Sequence, residues 1–129
     1  MTDFITMKEK MRVEAIIKAN EHVANGFSVE DAEKLRPHIH EVVLKKTPVL
    51  LDFDGVKFFT TLFFSQALTY LVGEIGADEY DGLIKVKNLS ESGEATYEHA
   101  LTYARDYYSK TEEKRREHDS IVEKVFEEL

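Results

Sequence analysis

Two aspartates separated by one residue are the side chains in this sequence whose types and spacing best suit chemistry. Asp52 and Asp54 directly follow a short run of large apolar residues, and Gly55 comes next. Two carboxylates at the end of a strand can bind one hard cation such as Mg²⁺, and one of them can attack a phosphoryl group. They can instead shape a tight turn by accepting hydrogen bonds from nearby N–H groups. Asp52 itself either sits at the end of the sheet and accepts such hydrogen bonds or is protonated within the strand, and we favour the first. The residues by themselves leave the chemistry of the pair open.

The segment from residue 50 to residue 56 resembles the opening motif of haloacid-dehalogenase-type phosphatases. That resemblance implies Asp52 as the nucleophile and Asp54 as the acid/base, both bound to Mg²⁺. Such enzymes place the motif on their first strand and carry a later lysine and a further acidic pair at strand ends. Here the next predicted strand, residues 83–89, ends in no acidic pair. We therefore keep an Mg²⁺-dependent phosphatase as the alternative function and expect a protein that is not an enzyme.

A predicted strand must bring these carboxylates to the edge of a sheet. Residues 49–53 are apolar except for Asp52, are too few for a helix, and lie between Pro48 and Gly55. This pattern is typical of a central strand that is covered on both faces. Residues 11–19 fit a strand by alternation and a helix by four-residue steps. We favour the strand, because a central strand needs hydrogen-bonding neighbours.

A helix is predicted soon after the two aspartates. From Leu62 to Val72 the apolar residues recur at steps of three and four, which is typical of a helix with one face on a sheet. We expect Thr60 and Thr61 to supply N-cap hydroxyls, and Gly73 to end the helix in a left-handed conformation. The residues expected to form the buried stripe are Leu62, Phe63, Phe64, Ala67, Leu68, Leu71 and Val72.

An earlier helix is predicted between the first two strands. Ser28 is followed by Asp31, a spacing that predicts a capping box at a helix N-terminus. Pro37 interrupts the helical pattern, because its ring clashes with the carbonyl four residues earlier. We therefore expect a kink or a restart near Arg36.

The second half of the chain predicts a loop, a strand and a last helix. Residues 76–82 are polar and bounded by glycines, which indicates a loop. Residues 83–89 alternate apolar side chains with lysines, so they predict a strand near a sheet edge, parallel to residues 49–53. Ser90 then offers an N-cap for the last helix. Alternating strands and helices with crossovers of helical length indicate an α/β fold class.

The C-terminal part of the chain combines a polar stretch with an apolar tip. The packed seam of the last helix is expected at Tyr97, Leu101, Ala104 and Tyr108. Residues 109–120 are almost all polar, and an apolar face then returns at Ile121, Val122, Val125, Phe126 and Leu129. Such a tip has to pack either on its own domain or on another chain, and a homodimer that forms through this C-terminal helix is the simplest use of it. We expect a single domain over residues 1–129 with a helical extension at about 109–129.

Composition narrows the classes of function. The formal net charge of −8 opposes nucleic-acid binding, and acidic residues flank the basic run at residues 114–116. With no cysteine in the chain, thiolate zinc sites and cysteine nucleophiles are excluded. No apolar run approaches the length of a membrane helix, and residues 1–10 do not have the pattern of a secretory signal. We expect a cytoplasmic protein without a metal or cofactor.

A longer part of the chain resembles another family. A strand ending in Leu-Asp-Phe, then Lys-Phe-Phe-Thr-Thr, a Phe-rich helix and a strand closing at Asn88 resemble the STAS-like family of small bacterial and phage proteins. The similarity extends over residues 28–108 and is sharpest at 49–64. It implies a small mixed sheet with helices packed mainly on one face, and a regulatory role in binding a partner protein. In the anti-sigma-factor antagonist branch, the partner is a histidine-kinase-like ATPase, and phosphorylation at the start of the helix after the central strand breaks the complex.

The resemblance places the partner-binding surface around the start of that helix. The residues expected to contribute are Asp54, Lys57, Thr60, Thr61, Ser65 and Asn88. Aligned with the antagonists' Asp-Ser-Ser-Gly motif, Thr61 takes the place of the first serine and Leu62 that of the phosphorylated serine. Leu62 cannot accept a phosphate, and this departure from the motif counts against regulated partner switching. Two interpretations of Thr60 and Thr61 stay open: they only cap the helix, or one of them accepts a phosphate, which would add nearly two negative charges to the surface.

Overall fold

The computed structural model describes residues 15–110, 114 and 116–121. The strands are β1 (Ala15–Lys18), β2 (Asn25–Gly26), β3 (Val49–Asp52), β4 (Lys57–Phe59) and β5 (Ile84–Lys87). The α-helices are α1 (Val29–Leu44), α2 (Thr61–Phe64), α3 (Leu71–Ile75), α4 (Ala77–Leu83) and α5 (Glu91–Ser109). A short 3₁₀ helix, Ala19–Glu21, follows β1, and a π-helical turn, Ser65–Thr69, joins α2 to α3. The α/β fold class predicted from the sequence is confirmed.

The strands form two small parallel sheets. The main sheet has the order β1-β3-β5, so the strand before the aspartates is central and β5 lies at an edge, as predicted. A second, two-stranded sheet pairs β2 with β4. All pairing among the described residues is parallel, so the mixed pairing that we expected is not found there. The strand assigned to residues 11–19 is confirmed for Ala15–Lys18, and residues 11–14 lie outside the described residues.

The main sheet has one covered face and one open face. Ile17 and Leu51 are buried and in register with each other, and helices cover this side. The neighbouring positions point the other way: Ile16 is 61% exposed and Leu50 is only partly buried. The expectation that β3 is covered on both faces is therefore wrong for the described part of the chain. A five-residue apolar run shows that a strand is central, but it does not show how many layers pack on it.

Helix α1 begins as the sequence predicted. The Ser28 hydroxyl accepts a hydrogen bond from the Asp31 N–H at 3.1 Å, and the Asp31 carboxylate accepts one from the Ser28 N–H at 3.3 Å. The expected restart near Arg36 is wrong, because the helix continues through Pro37 to Leu44. Pro37 lies on the exposed face, so water can satisfy the carbonyl that loses its partner.

The helical segment after the two aspartates is longer and less regular than predicted. Gly73 does not end it; the chain stays helical to Ile75, and Gly76, at φ 90°, supplies the left-handed residue. Gly73 instead makes room for the Tyr108 ring, since a Cβ there would lie 2.4 Å from a ring carbon. In the π-helical turn, the Tyr70 N–H donates to the Ser65 carbonyl at 3.2 Å.

The helices and the two sheets enclose one core. Its centre is a group of aromatic rings, called here the aromatic cluster: Phe53, Phe59, Phe63, Phe64 and Tyr97. The Phe59 and Phe64 rings stack at 5.3 Å between centroids, and Phe64 meets the Tyr97 ring at 5.3 Å. The seam predicted for the last helix is confirmed, because Tyr97, Leu101 and Ala104 are all buried.

Most of the predicted loop at residues 76–82 is helical, because α4 begins at Ala77. The acidic residues Asp78 and Glu79 lie in the first turn of α4, where they favour the helix dipole. Tyr80 points inward and is 1% exposed, and its hydroxyl lies 2.8 Å from that of Tyr97. Burial raises the pKa of Tyr80 well above its ordinary value and also raises that of Tyr97, so both hydroxyls stay protonated. A helix is predicted from apolar residues that repeat every three or four positions, and Tyr80 alone does not form such a pattern.

The described residues beyond α5 contact that helix. Residues 114 and 116–121 are described, and they are helical. The Tyr103 hydroxyl lies 2.8 Å from His118 Nε2, and the Tyr107 hydroxyl donates to the Asp119 carboxylate at 2.8 Å. Ile121 is 64% exposed, while Val122, Val125, Phe126 and Leu129 lie outside the described residues. In the part of the chain that the structure describes, no helix has the length and apolarity to cross a membrane.

Candidate functional site

The turn after β3 is held by the first of the two aspartates. Asp52 Oδ1 accepts a hydrogen bond from the Asp54 N–H at 3.0 Å and another from the Asn88 side-chain amide at 2.9 Å. The turn then passes Gly55, which has φ 81°. Asn88 itself has φ 62°, a conformation that asparagine tolerates better than most residues. The prediction that Asp52 sits at the end of the sheet and accepts hydrogen bonds from nearby N–H groups is confirmed.

These contacts keep the Asp52 carboxylate ionised. The hydrogen bond from Asn88 is the largest cause that lowers its pKa, followed by the hydrogen bond from the Asp54 N–H, and nearby Lys87 and Lys18 act in the same direction. The Lys87 ammonium lies 3.9 Å from Asp52 Oδ2. Among the described residues, no three or more histidine, aspartate or glutamate side chains are grouped so that they could hold a metal ion.

The start of α2 is fixed by Thr60. Its hydroxyl accepts a hydrogen bond from the Phe63 N–H at 3.1 Å, which confirms Thr60 as the N-cap. The same hydroxyl donates to the Phe27 carbonyl at 2.7 Å, and the Thr60 N–H donates to the Gly26 carbonyl at 2.9 Å. Thr60 therefore ties together the end of β2, the end of β4 and the first turn of α2. Its hydroxyl makes one donated and one accepted hydrogen bond within the fold.

An exposed apolar patch surrounds this junction. Phe27, Phe58 and Leu62, which we call the apolar patch, are 61%, 71% and 53% exposed. Phe58 stands out by its backbone as well, because its φ of 57° is a conformation that bulky residues rarely adopt. Such strain persists only where the surroundings impose it, and it concentrates at functional sites.

The neighbouring Phe59 explains why Phe58 faces outward. Its ring passes over two glycines; a Cβ on Gly26 would lie 2.5 Å from a Phe59 ring carbon, and one on Gly93 would lie 2.9 Å away. Because only glycine permits this approach, Phe59 is locked into the aromatic cluster. Phe58 is the extra residue between the pairs Asn25–Lys57 and Gly26–Phe59, so it lies at a β-bulge, and its side chain is exposed there.

Arg36 braces the π-helical turn beside this surface. Its Nε donates to the Gln66 carbonyl at 2.6 Å, and its Nη2 donates to Gln66 Oε1 at 2.8 Å. A π-helical turn displaces carbonyls from the regular ladder, and here a guanidinium satisfies one of them. Arg36 also lies 5.4 Å from the centre of the Tyr70 ring. The turn thereby fixes the position of Ser65, which is half-buried.

The predicted partner-binding residues fall into three places. Asp54 and Asn88 meet at the Asp52 carboxylate. Lys57 and Thr61 flank the junction that Thr60 holds, since β4 ends at Phe59 and α2 begins at Thr61. Ser65 belongs to the π-helical turn.

The apolar patch is the part of the site that sequence reasoning missed. We assigned Leu62 to the buried stripe, and this is wrong, because the buried stripe starts at Phe63. Once Thr60 caps the helix, Phe63 and Phe64 face the core and Leu62 faces water. The sequence pattern does not separate Phe58 from Phe59, because the bulge at Phe58 depends on the pairing of β4 with β2.

The fold and site define a small α/β domain with a polar turn at the carboxyl edge of a parallel sheet and an exposed apolar patch beside it. Residues 31–94 match the family described as a STAS-like domain of unknown function (DUF4325), which confirms the predicted STAS-like resemblance over this part of the chain. The matched residues include every position of the predicted partner-binding surface. No curated protein and no solved structure matched the chain.

Proposed function

We propose that this chain is a non-enzymatic regulatory module that binds a partner protein through the apolar patch and the polar residues around it. The observation that carries the proposal is Phe58, which is 71% exposed on a backbone at φ 57°. Exposure of a large aromatic ring costs solubility, and a left-handed backbone costs stability. Both costs are understandable if the ring is an anchor that a partner buries, because aromatic anchors dominate the energetics of protein interfaces.

The polar residues would set specificity. Lys57 and Asp54 are exposed on either side of the turn, so they present opposite charges close to Phe58. Charges at the rim of an interface contribute little affinity, but they steer association and reject partners of the wrong charge pattern. Ser65 and Asn88 extend the polar rim.

A histidine-kinase-like ATPase is the partner class that the STAS-like resemblance favours, with phosphorylation as the switch. Thr61 is the better acceptor, because the Thr60 hydroxyl already makes two hydrogen bonds within the fold. A phosphate on Thr61 would place about two negative charges next to exposed Leu62. We expect Thr61→Asp to weaken partner binding while Thr61→Val leaves it unchanged, as measured by titration calorimetry.

The test of the binding surface compares two exposed apolar residues. Tagged wild-type chain, Phe58→Ser and Leu44→Ser are used to capture proteins from native lysate, and the captured protein is purified for affinity measurement. Leu44 is 67% exposed at the end of α1, away from the patch. We expect wild type and Leu44→Ser to bind the same protein with equal affinity, and Phe58→Ser to lose at least about tenfold. Equal affinities for all three would overturn the proposal.

Self-association through the C-terminal segment is a second part of this proposal. Ile121 is 64% exposed, and the sequence after it adds four more apolar residues, Val122, Val125, Phe126 and Leu129. Deletion of residues 121–129 should convert a dimer into a monomer in light scattering. An unchanged mass would contradict self-association.

An Mg²⁺-dependent phosphatase is the second candidate function. Asp52 and Asp54 line one small cavity of about 100 Å³ together with Lys18 and Asn20, which gives it a specific observation. The hydrogen bonds to Asp52 favour a structural role instead, since they occupy the oxygen that faces the turn. Turnover of p-nitrophenyl phosphate with Mg²⁺, abolished by Asp52→Asn, would favour the phosphatase over the binding module.

A further inference from the structure

The open face of the main sheet is an exposed surface with no assigned role. It consists of the outward residues of the three strands, which stand in two rows across the sheet: Ile16, Leu50 and Lys85, then Lys18, Asp52 and Lys87. Parallel sheets are almost always covered on both faces, because their strands carry apolar residues on both. Ile16 is nevertheless 61% exposed, and in the described part of the chain no layer covers this side.

The charge of the open face is opposite to that of the whole molecule. It carries three lysines and one aspartate, whereas the chain has a formal net charge of −8. Asp52 is already held by the Asn88 amide and the Asp54 N–H, and Lys87 lies 3.9 Å from it. Lys18 and Lys85 are exposed at the two sides. The open face therefore consists of two apolar side chains, Ile16 and Leu50, with lysines beside them.

The C-terminal segment has the complementary composition. Between residues 121 and 129 it contains three acidic residues and one lysine: Glu123, Glu127, Glu128 and Lys124. The same segment contains five large apolar residues, which begin at Ile121. The acidic residues of the segment complement the lysines of the open face. Its apolar residues complement Ile16 and Leu50, so both charge and apolar burial favour the contact.

The position of Ile121 indicates which copy supplies the segment. His118 and Asp119 are hydrogen-bonded to Tyr103 and Tyr107 of α5. Helix α5 packs into the core through Tyr97 and its neighbours, on the covered side of the sheet. The segment after Ile121 thus starts on the side away from its own open face, whereas a second molecule can present it directly.

We propose that residues 121–129 of one copy dock on the open face of a second copy, with their acidic side chains toward Lys18, Lys85 and Lys87. This deepens the proposed self-association and rests on it. A twofold arrangement lets each molecule give one segment and receive one, so both open faces are covered and no open chain of molecules forms. The interface buries Ile16 and Leu50, the two apolar residues of the face.

Disulfide trapping tests the contact directly, because the chain has no cysteine of its own. Two single-cysteine variants, Leu50→Cys and Phe126→Cys, are mixed and mildly oxidised. We expect a disulfide-linked dimer that contains one copy of each variant. Leu44→Cys in place of Leu50→Cys is the matched control, because Leu44 is exposed but lies on α1, and it should give no such dimer. Equal linkage with both would overturn the proposal.

Two double variants test whether a segment of the same molecule covers the open face instead. If Leu50→Cys combined with Phe126→Cys closes a disulfide within one chain at high dilution, the molecule covers its own face and the second-copy proposal is wrong. If Leu50→Cys combined with Phe4→Cys does so instead, the N-terminal segment is the occupant, and the proposal is wrong as well. The proposal requires that neither double variant gives a linked monomer.

Charge reversal separates this proposal from self-association in general. Lys85→Glu with Lys87→Glu should raise the dimer dissociation constant at least about tenfold in sedimentation, and Glu127→Lys with Glu128→Lys should restore the dimer in the combined variant. If deletion of residues 121–129 gives a monomer but the lysine reversal changes nothing, self-association stands and docking on the open face is wrong. If the deletion itself changes nothing, both are wrong.

Discussion

The aromatic cluster and the apolar patch are made of similar side chains that lie beside one another in the sequence, yet one is buried and the other faces water. Phe59, Phe63 and Phe64 belong to the cluster, and each has a neighbour or near neighbour in the patch. Phe58 precedes Phe59, and Leu62 precedes Phe63. Side-chain hydrophobicity therefore did not decide which residues are buried. The direction of the backbone at each position did.

The difference shows how a small domain can keep apolar side chains exposed to solvent. The glycines at positions 26 and 93 admit the Phe59 ring, and this fixes the direction of β4. The hydroxyl of Thr60 then fixes the direction of α2. Phe58 and Leu62 are held outward as a consequence, and they cannot collapse onto a core that is already filled.

Truncation of Phe64, at the centre of the aromatic cluster, should have the largest effect. Phe64 is fully buried, and its ring contacts four other aromatic rings. We expect Phe64→Ala to lower the free energy of unfolding by about 3–5 kcal/mol in urea titrations, because it removes apolar contacts and leaves a cavity. Phe58→Ala is the matched control and should stay within about 0.5 kcal/mol of wild type. Similar losses in both variants would contradict the comparison.

The close approach of Phe59 to Gly26 gives the next largest effect. A Cβ at Gly26 would lie 2.5 Å from the ring, so Gly26→Ala should lower the free energy of unfolding by about 1–3 kcal/mol. At Gly82, in helix α4, a Cβ would meet nothing within 4 Å. Gly82→Ala should therefore raise the free energy of unfolding by up to about 1 kcal/mol. Thermal denaturation of both variants measures the difference, and a loss at Gly82 would count against this account.

Relief of the strain at Phe58 should stabilise the domain. Glycine adopts positive φ without the penalty that an L side chain pays, so Phe58→Gly should raise the free energy of unfolding by about 1 kcal/mol. Phe27→Gly removes an equally large exposed ring from a backbone that is not at positive φ, and it should give no gain. If the two substitutions have the same effect on stability, the strain at Phe58 is not significant.

The smallest effect is the pH dependence that comes from the turn between β3 and β4. The hydrogen bonds to Asp52 lower its pKa below the ordinary value of 3.8. The corresponding stability is therefore present at neutral pH and is lost as the pH falls through the lowered pKa. Asn88→Gly removes the largest cause while keeping a residue that tolerates φ 62°. We expect its melting temperature to fall less than that of wild type between pH 6 and about pH 3; an equal fall would contradict the assignment.

The sequence by itself determined the local parts of this protein. The capping box at Ser28 and the cap at Thr60 depend on side chains within three residues of the helix start, so their spacing is enough to find them. The central strand at residues 49–52 and the edge strand at 84–87 follow from apolar runs and alternation. The family resemblance rests on the same local pattern.

Only the tertiary structure decided which apolar residues are buried and which glycines serve packing. Gly73 looked like a helix end, but Tyr108, which is distant in sequence, uses the space beside it. Leu62 fits a buried stripe by spacing, yet the orientation of α2 turns it outward. The open face of the main sheet likewise depends on which layers pack on it. These features arise from contacts between segments far apart in the chain, and a periodic pattern within one segment carries no information about them.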